Sequence, residues 1–278
     1  MDSSDASRFR DLSVVVPVYQ TDVPWFSRQI MGIEALVAGG AEVVVGLNGA
    51  SANNPAVVSR LPDTTVVRKF VPALSREDHW TELLQSCSRP FVRYWFAGDE
   101  LSREVLESHV QILRNDRNSA MVFSPRTVAV GPFVLPGQVR ARLKYWGRLT
   151  RQVSRDELMN SVIDTASNFI GEPTFVTFRR AAAPRAWVHG FEYAVDLAMY
   201  GEIARNGHAV WLPDNAGRFG VTAGSTSVEL ERQQVSDMVA LAESWSVDFD
   251  RAVLEKRLYS LTRVRILVYR IMAFFGIK

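Results

Sequence analysis

The run FVRYWFAGDELSREVLESHV, Phe91 to Val110, decides how the rest of the chain is read. Five of its first six residues are large and apolar or aromatic, the pattern of a strand buried on both faces. The run stops at Gly98-Asp99-Glu100. From Ser102 onward, apolar residues return at three- and four-residue steps, as on one face of a helix, with Ser102 placed to cap it. Two neighbouring carboxylates at the end of a buried strand need a reason. In open α/β sheets, ligands bind beyond the carboxyl ends of the strands.

The same alternation extends in both directions. LSVVVPVYQ, Leu12 to Gln20, reads as a buried parallel strand closed by a loop. WFSRQIMGIEALVAGG has helical spacing and ends in glycines suited to a C-cap. AEVVVGLNGASANN is a second strand entering a Gly/Asn/Ser loop, and TTVVRKF a short third one. SREDHWTELLQSC reads as a helix with Ser75 as N-cap and Asp78 in the capping-box position. FVRYWFAG is then the fourth strand. YAVDLAMYGEIARNGHAVWLP reads as helix, Gly207 cap, strand. The segment between Pro125 and Asn160 is basic and weakly periodic, and reads as an insertion or an acceptor-side segment. Strand–helix repeats of this kind predict an α/β fold with a mostly parallel, doubly wound sheet. Three strand ends then converge on one crevice: Pro17-Val18-Tyr19, Leu47-Asn48-Gly49 and Asp99-Glu100.

Bulk properties narrow the class. The chain has 278 residues, 47% hydrophobic and 22% charged, with a net charge of +2. These are values of an ordinary globular protein and give no reason to expect a nucleic-acid partner. Cys87 is the only cysteine, which excludes an internal disulfide framework and a thiolate metal cluster and fits a reducing cytoplasm. MDSSDASRFRD, at the start, has no apolar segment of a secretory signal. No apolar run reaches the ~20 residues of a spanning helix. The charge is uneven. Residues Arg251 to Lys278 carry a net +6, leaving −4 on the rest.

The ordered set of pieces resembles glycosyltransferase family 2, the inverting transferases of GT-A fold, over roughly residues 12 to 225. LSVVVPVYQ looks like the first strand of that family. VVVGLNGAS looks like the strand before its nucleotide loop, HWTELL like the helix before its metal motif, and WFAGDEL like the DxD-type metal motif itself. NFIGEPTFVTFRR is similar to a glycine-containing segment of one branch, and YAVDLAMYGEIARNG looks like the helix that carries the catalytic base. The resemblance implies a Rossmann-like GT-A sheet flanked by helices, with a polar tail over 1–11, the catalytic domain over 12–225 and a C-terminal helical extension over 226–278. It implies transfer of a sugar from a nucleotide-diphosphate sugar to a hydroxyl of a glycan or lipid-linked acceptor in cell-envelope synthesis. Asp99 would bind Mg²⁺ or Mn²⁺, hard cations that take carboxylate oxygen. Asp196 would take the acceptor proton, with Glu192 as the fallback. Pro17, Val18, Tyr19, Asn48, Gly49, His79, Gly98 and Glu172 would contact the nucleotide sugar.

The chain departs from the family in places. Ala97 and Gly98 stand where an earlier acid of the metal motif is usual. Leu47, with Asn48 beside it, stands where the nucleotide loop often has Asp. Arg218 stands near the place of a usual Arg/His pair, without the histidine. These departures keep open a second reading, a catalytically inactive binding or scaffold protein. A nucleotidyltransferase ranks last, since no glycine-rich basic loop follows VVVPVYQ.

Other residues have plainer readings. Glu100 fits a helix-leading acid. Gly171-Glu172-Pro173 fits a turn as well as a sugar loop, and Arg179-Arg180 a charged strand exit. His79, His109, His189 and His208 have no zinc spacing; the last three fit surface or helix positions. Trp80 and Cys87 read as core. In the tail, Leu254, Leu258, Leu261, Val264, Val268, Ile271 and Phe275 follow helical steps, with Lys256, Arg263 and Arg270 on another face. This fits a basic amphipathic helix lying peripherally on the inner face of the cytoplasmic membrane. It equally fits a helix packed on its own domain or at a dimer interface.

Overall fold

The computed structural model describes residues 8–19, 23–54, 58–130, 133–136, 150–221 and 231–260. Its centre is an eight-stranded sheet in the order β3-β2-β1-β4-β10-β6-β11-β9. The strands are β1 (Leu12–Val18), β2 (Glu42–Asn48), β3 (Val66–Phe70), β4 (Phe91–Tyr94), β6 (Ser119–Phe123), β9 (Arg151–Val153), β10 (Val176–Arg179) and β11 (His208–Trp211). β3, β2, β1 and β4 run parallel to one another, and so do β6 and β11. β10 lies antiparallel between β4 and β6, and β9 lies antiparallel on β11. The α/β expectation is met, with these two reversed strands added.

Both faces are covered. Along β1, Leu12, Val14, Val16 and Val18 pack against Phe26, Ile30 and Ile33 of α1 (Val23–Ala38) and Val105, Leu106 and Val110 of α3 (Arg103–Asn115). Val15 and, on β4, Val92 and Tyr94 belong to the opposite core, with Trp80, Leu83 and Leu84 of α2 (Arg76–Gln85). That core also takes α4 (Arg155–Thr165), α5 (Val195–Ile203) and α6 (Glu231–Ser244), through Met159, Leu197, Met238 and Leu241. Sheets buried on both faces read as unbroken apolar runs. All seven residues of β1 are buried.

Helix starts follow their caps. Ser75 accepts from Asp78 N–H at 3.1 Å and Ser102 from Val105 N–H at 3.3 Å, as expected, and Ser154 accepts from Glu157 N–H at 3.2 Å. The fourth strand is shorter than its apolar run. β4 ends at Tyr94; the Trp95 N–H still donates to the Val15 carbonyl at 2.7 Å, and Phe96 to Gly98 then leave the ladder in a turn that ends at Asp99. The weakly periodic segment supplies β7 (Thr127–Val130) and β8 (Phe133–Pro136). These form a second sheet with β5 (Glu100–Leu101) and β12 (Gly217–Val221), in the order β5-β12-β7-β8.

The tail divides at residue 260. Leu254 and Leu258 are buried in the domain's own core, and Arg257 donates to the Asp164 carbonyl at 2.7 Å. The described part of the tail therefore packs on its own domain. Leu261, Arg263, Val264, Val268, Arg270, Ile271 and Phe275 lie outside the described residues. No helix among the described residues is long and apolar enough to cross a membrane.

Candidate active site

Parallel pairing sets the first wall of the crevice. Pro17 lies opposite Gly46 and Val18 opposite Leu47, so the ends of β1 and β2 lie side by side. Ser51 Oγ bonds the carbonyls of Val18 at 3.0 Å and Asn48 at 2.9 Å, tying the two loops together. Gly49 has φ +62°, a conformation that favours glycine. His79 reaches this wall from α2, edge-on to Tyr19 at 5.2 Å and to Phe70 at 5.1 Å. It needs room: a Cβ at Gly46 would fall 2.5 Å from His79 Nε2, so glycine inside β2 admits the ring. Burial pulls the His79 imidazole down to about 4, so it is neutral at pH 7. Asn48 bonds the Leu74 backbone at both ends of its amide, at 3.0 and 2.9 Å, which makes it a brace between loops. Leu47 is fully buried.

Asp99 forms the second part. It is 5% exposed, and its Oδ1 accepts the Gly220 N–H at 3.2 Å. That bond requires close chain approach. A Cβ at Gly220 would lie 2.5 Å from the Gly98 carbonyl, and Gly98 itself has φ +88°. Burial pushes the Asp99 carboxyl up to about 8, helped by the nearby Glu172 charge and opposed by the Thr174 hydroxyl, the Gly220 amide and Arg126. Its Oδ2 is buried and has no hydrogen-bond partner among the described residues. A hard cation would satisfy that oxygen and favour the charged form. One carboxylate is a small donor set, and among the described residues no group of three or more His, Cys, Asp or Glu could hold a metal. A cation here would complete its shell with oxygens of a ligand such as a diphosphate.

Asp196 opens the first turn of α5. Asn168 Nδ2 donates to its Oδ2 at 2.6 Å and the Leu197 N–H to its Oδ1 at 2.9 Å. Burial, then the charge of Glu172, pushes its carboxyl up to about 7, while the Leu197 amide and Arg76 oppose the rise. It keeps partial exposure. Glu172 thus raises both aspartates through its charge and is the electrostatic link between them. Glu172 is ion-paired with Arg126, whose guanidinium lies 5.7 Å from the Phe175 ring and 5.6 Å from the Phe219 ring. The antiparallel β10 explains the meeting: its beginning, just after Glu172, lies at the same sheet end where β4 finishes.

Solved structures share the fold. Residues 1–349 of TarS from S. aureus, in complex with UDP-GlcNAc, match 89% of this chain over 70% of their own, with a TM-score of 0.56 and 16% identity. The mannosyltransferase PcManGT from Pyrobaculum calidifontis, in complex with GDP-Man and Mn²⁺, matches 94% of this chain over 71% of its own, with a TM-score of 0.59 and 14% identity. The chain has the GT-A fold. No family model matches its sequence, and no curated protein does.

Within this GT-A frame the remaining candidates find other work. Glu192 is exposed, and its carbonyl, not its carboxylate, is engaged, by Arg76 at 2.8 Å. Glu100 is ion-paired with Arg218 across the small sheet. Arg179 bonds the carbonyls of Leu113 at 2.7 Å and Asp116 at 3.2 Å, and Arg180 bonds that of Cys87 at 2.7 Å, at the opposite end of the sheet from the crevice. His189 and His208 lie near Asp78 and Asp116, at 3.7 and 2.7 Å. His109 is a helix position on the inward face, fully buried, bonded to Ser124 Oγ at 2.8 Å and Thr177 Oγ1 at 3.1 Å. Sequence reasoning missed Arg126 and Asn168. Asn168 lies in the quoted NFIGEP run, where an amide three residues before Gly171 was the available signal. Nothing in the sequence marks Arg126.

Proposed function

We propose that the chain is an inverting glycosyltransferase that moves a sugar from a nucleotide-diphosphate sugar to a hydroxyl acceptor of cell-envelope polysaccharide or glycolipid, on the cytoplasmic side of the membrane. The observation that carries the reading is Asp196: a partly exposed carboxylate at a helix start, held by Asn168 and raised to about 7 by burial and by the charge of Glu172. A general base works best with its pKa near the working pH. Asp196 accepts the acceptor hydroxyl's proton as the oxygen bonds the anomeric carbon from the face opposite the leaving group. The bond from that carbon to the diphosphate breaks, and the nucleoside diphosphate leaves with the electron pair. The proton on Asp196 then passes to water. Asp99 would hold Mg²⁺ or Mn²⁺ together with the diphosphate, and such a cation supplies neutralisation of the leaving charge. Tyr19, His79 and Gly49 would flank the nucleoside. The neighbours' bound UDP-GlcNAc and GDP-Man support a sugar-nucleotide donor and leave its base open.

Buried Leu47, where the family often has an acid, favours a second reading: a nucleotide- or glycan-binding protein without turnover. Thermal unfolding with UDP, GDP and dTDP, with and without Mn²⁺, tests the donor site. A ligand at 100 times its Kd adds about 2.7 kcal/mol. The proposal expects one nucleotide to shift the transition only with Mn²⁺, and the shift to vanish in Asp99→Ala. Turnover of the matching sugar nucleotide with an envelope extract, lost in Asp196→Asn, separates enzyme from binding protein. Nucleotide binding without turnover in the wild type would support the second reading.

A further inference from the structure

The turn leading into α5 has no cap of its own. Ala194 occupies the N-cap position and offers no side-chain bond, so the first amides need partners from elsewhere. One comes from α6. Asp237, 2% exposed, accepts the Tyr193 N–H at 2.7 Å and the Ala194 N–H at 3.0 Å on Oδ2, while Gln233 Nε2 holds its Oδ1 at 2.9 Å. The carbonyls of the turn are held from α2. Arg76 Nη2 donates to the Glu192 carbonyl at 2.8 Å and the Phe191 carbonyl at 3.5 Å, and Glu77 aims the guanidinium through Nε at 3.0 Å and Nη2 at 2.6 Å. An acid grips the amides and a base grips the carbonyls of one short turn, which ends two residues before Asp196.

We propose that Asp237 and Arg76 form a clamp that positions Asp196 for the reaction, so that α6 is a working part of the active site. The inference rests on the glycosyltransfer reading above. Charge-assisted bonds to buried backbone are short and directional, and Asp196 sits within one helical turn of the clamped amides. Releasing Asp237 lets the turn shift. A misplacement of about 1 Å can cost about a hundredfold in rate. A residue that merely fastens α6 to the domain would lower stability and leave the chemistry of the surviving fold alone.

The test uses the full chain in four forms: wild type, Asp237→Asn, Asp237→Ala and Asp196→Asn. Turnover of sugar nucleotide gives kcat and the donor KM, and nucleoside-diphosphate binding is followed by thermal shift. Carboxyl NMR of ¹³C-labelled aspartate gives the titration of Asp196, assigned by its absence in Asp196→Asn. The groups facing Asp196 are Glu172, Arg76, Asn168 and the Tyr200 hydroxyl. All keep their identities in the Asp237 variants, and both variants lose the same Asp237 charge, so a titration that moves further in Asp237→Ala than in Asp237→Asn reports a moved Asp196. The proposal expects Asp237→Asn to bind nucleoside diphosphate within about twofold of wild type, to lose about tenfold in kcat at nearly constant KM, and to shift the Asp196 titration away from its wild-type midpoint. Asp237→Ala, which keeps neither acceptor, should lose about a hundredfold. An unmoved titration together with kcat within about threefold overturns the clamp while leaving the transferase reading intact. If the wild type itself does not turn over, the transferase reading fails, and the titration alone decides whether Asp237 positions Asp196.

Discussion

Asp196 offers a measurement that needs no substrate. Its carboxyl stands at about 7 in the fold against an ordinary 3.8, chiefly because burial disfavours its charge. A raised folded value helps the native state most at low pH, below the unfolded value, and that help is lost as pH rises through 7. The window therefore runs from about pH 4 to about pH 7. At about 1.4 kcal/mol per pH unit the loss is about 4 kcal/mol for a fully dry carboxyl. Water reaches part of Asp196, and screening reduces the expected loss to about 2 kcal/mol. Asp196→Asn removes the titration at nearly constant shape. The stability of the variant minus that of wild type should therefore climb by about 2 kcal/mol from about pH 4 to about pH 8, then level off. Urea unfolding at constant ionic strength measures it, and the subtraction cancels groups that titrate alike in both proteins, Asp99 included. The sign of the variant's offset at any single pH does not matter; the slope does. A flat difference would mean a solvated carboxyl with an ordinary pKa. A difference that falls with rising pH below about pH 4 and is flat above it would mean a carboxylate stabilised by its surroundings. Either result removes the argument that Asp196 is poised as a base near neutrality.

Three further substitutions probe the frame. Gly201→Ala puts a methyl inside contact distance of the Trp245 indole, and overpacking there should cost about 1–3 kcal/mol in chemical denaturation. Asn48→Ala removes both bonds to the Leu74 backbone and should cost about 1–3 kcal/mol; if Asn48 instead only touches ligand, nucleotide binding falls with stability unchanged. Arg93→Ala takes out a fully buried guanidinium bonded to the Thr174 carbonyl at 2.6 Å and Thr177 Oγ1 at 3.2 Å, leaving a void and unpaired partners. A loss of about 3 kcal/mol or more is expected by urea melt, and a loss below about 1 kcal/mol would mean the site collapses around the gap.

The sequence reveals those features whose physics is local. β1 and β2 are legible because each carries a run of three buried valines, Val14-Val15-Val16 and Val43-Val44-Val45, and α2 and α3 because Ser75 and Ser102 bond amides three residues away. The side-by-side ends of β1 and β2 follow from the alternation itself. What stays hidden depends on distant partners. The reversed direction of β10 is set by pairing with β4 and β6, which no local pattern encodes. Phe96 extends the apolar run of β4 but leaves the ladder, because the chain must turn to bring Asp99 under Gly220. Arg126 finds Glu172, and Asp237 finds the turn before α5, only after folding. His109 shows the same limit: its helix is readable, while the inward angle toward Ser124 and Thr177 is not.

The place of β10 has a consequence for synthesis. β4 and β6 never touch as neighbours; the strand between them arrives after both have been made. A growing chain that has emerged only as far as Phe123 can assemble β3-β2-β1-β4, yet one flank of β4 stays unpaired and β6 has no place to dock. Exposed strand edges invite pairing with other chains. The slot closes only when residues through Arg179 are free to enter it from the opposite direction, and that same entry delivers Glu172 to Asp99. Filling that slot and raising the Glu172 wall of the crevice are one event, so a nascent chain keeps an unpaired strand edge until that wall is in place.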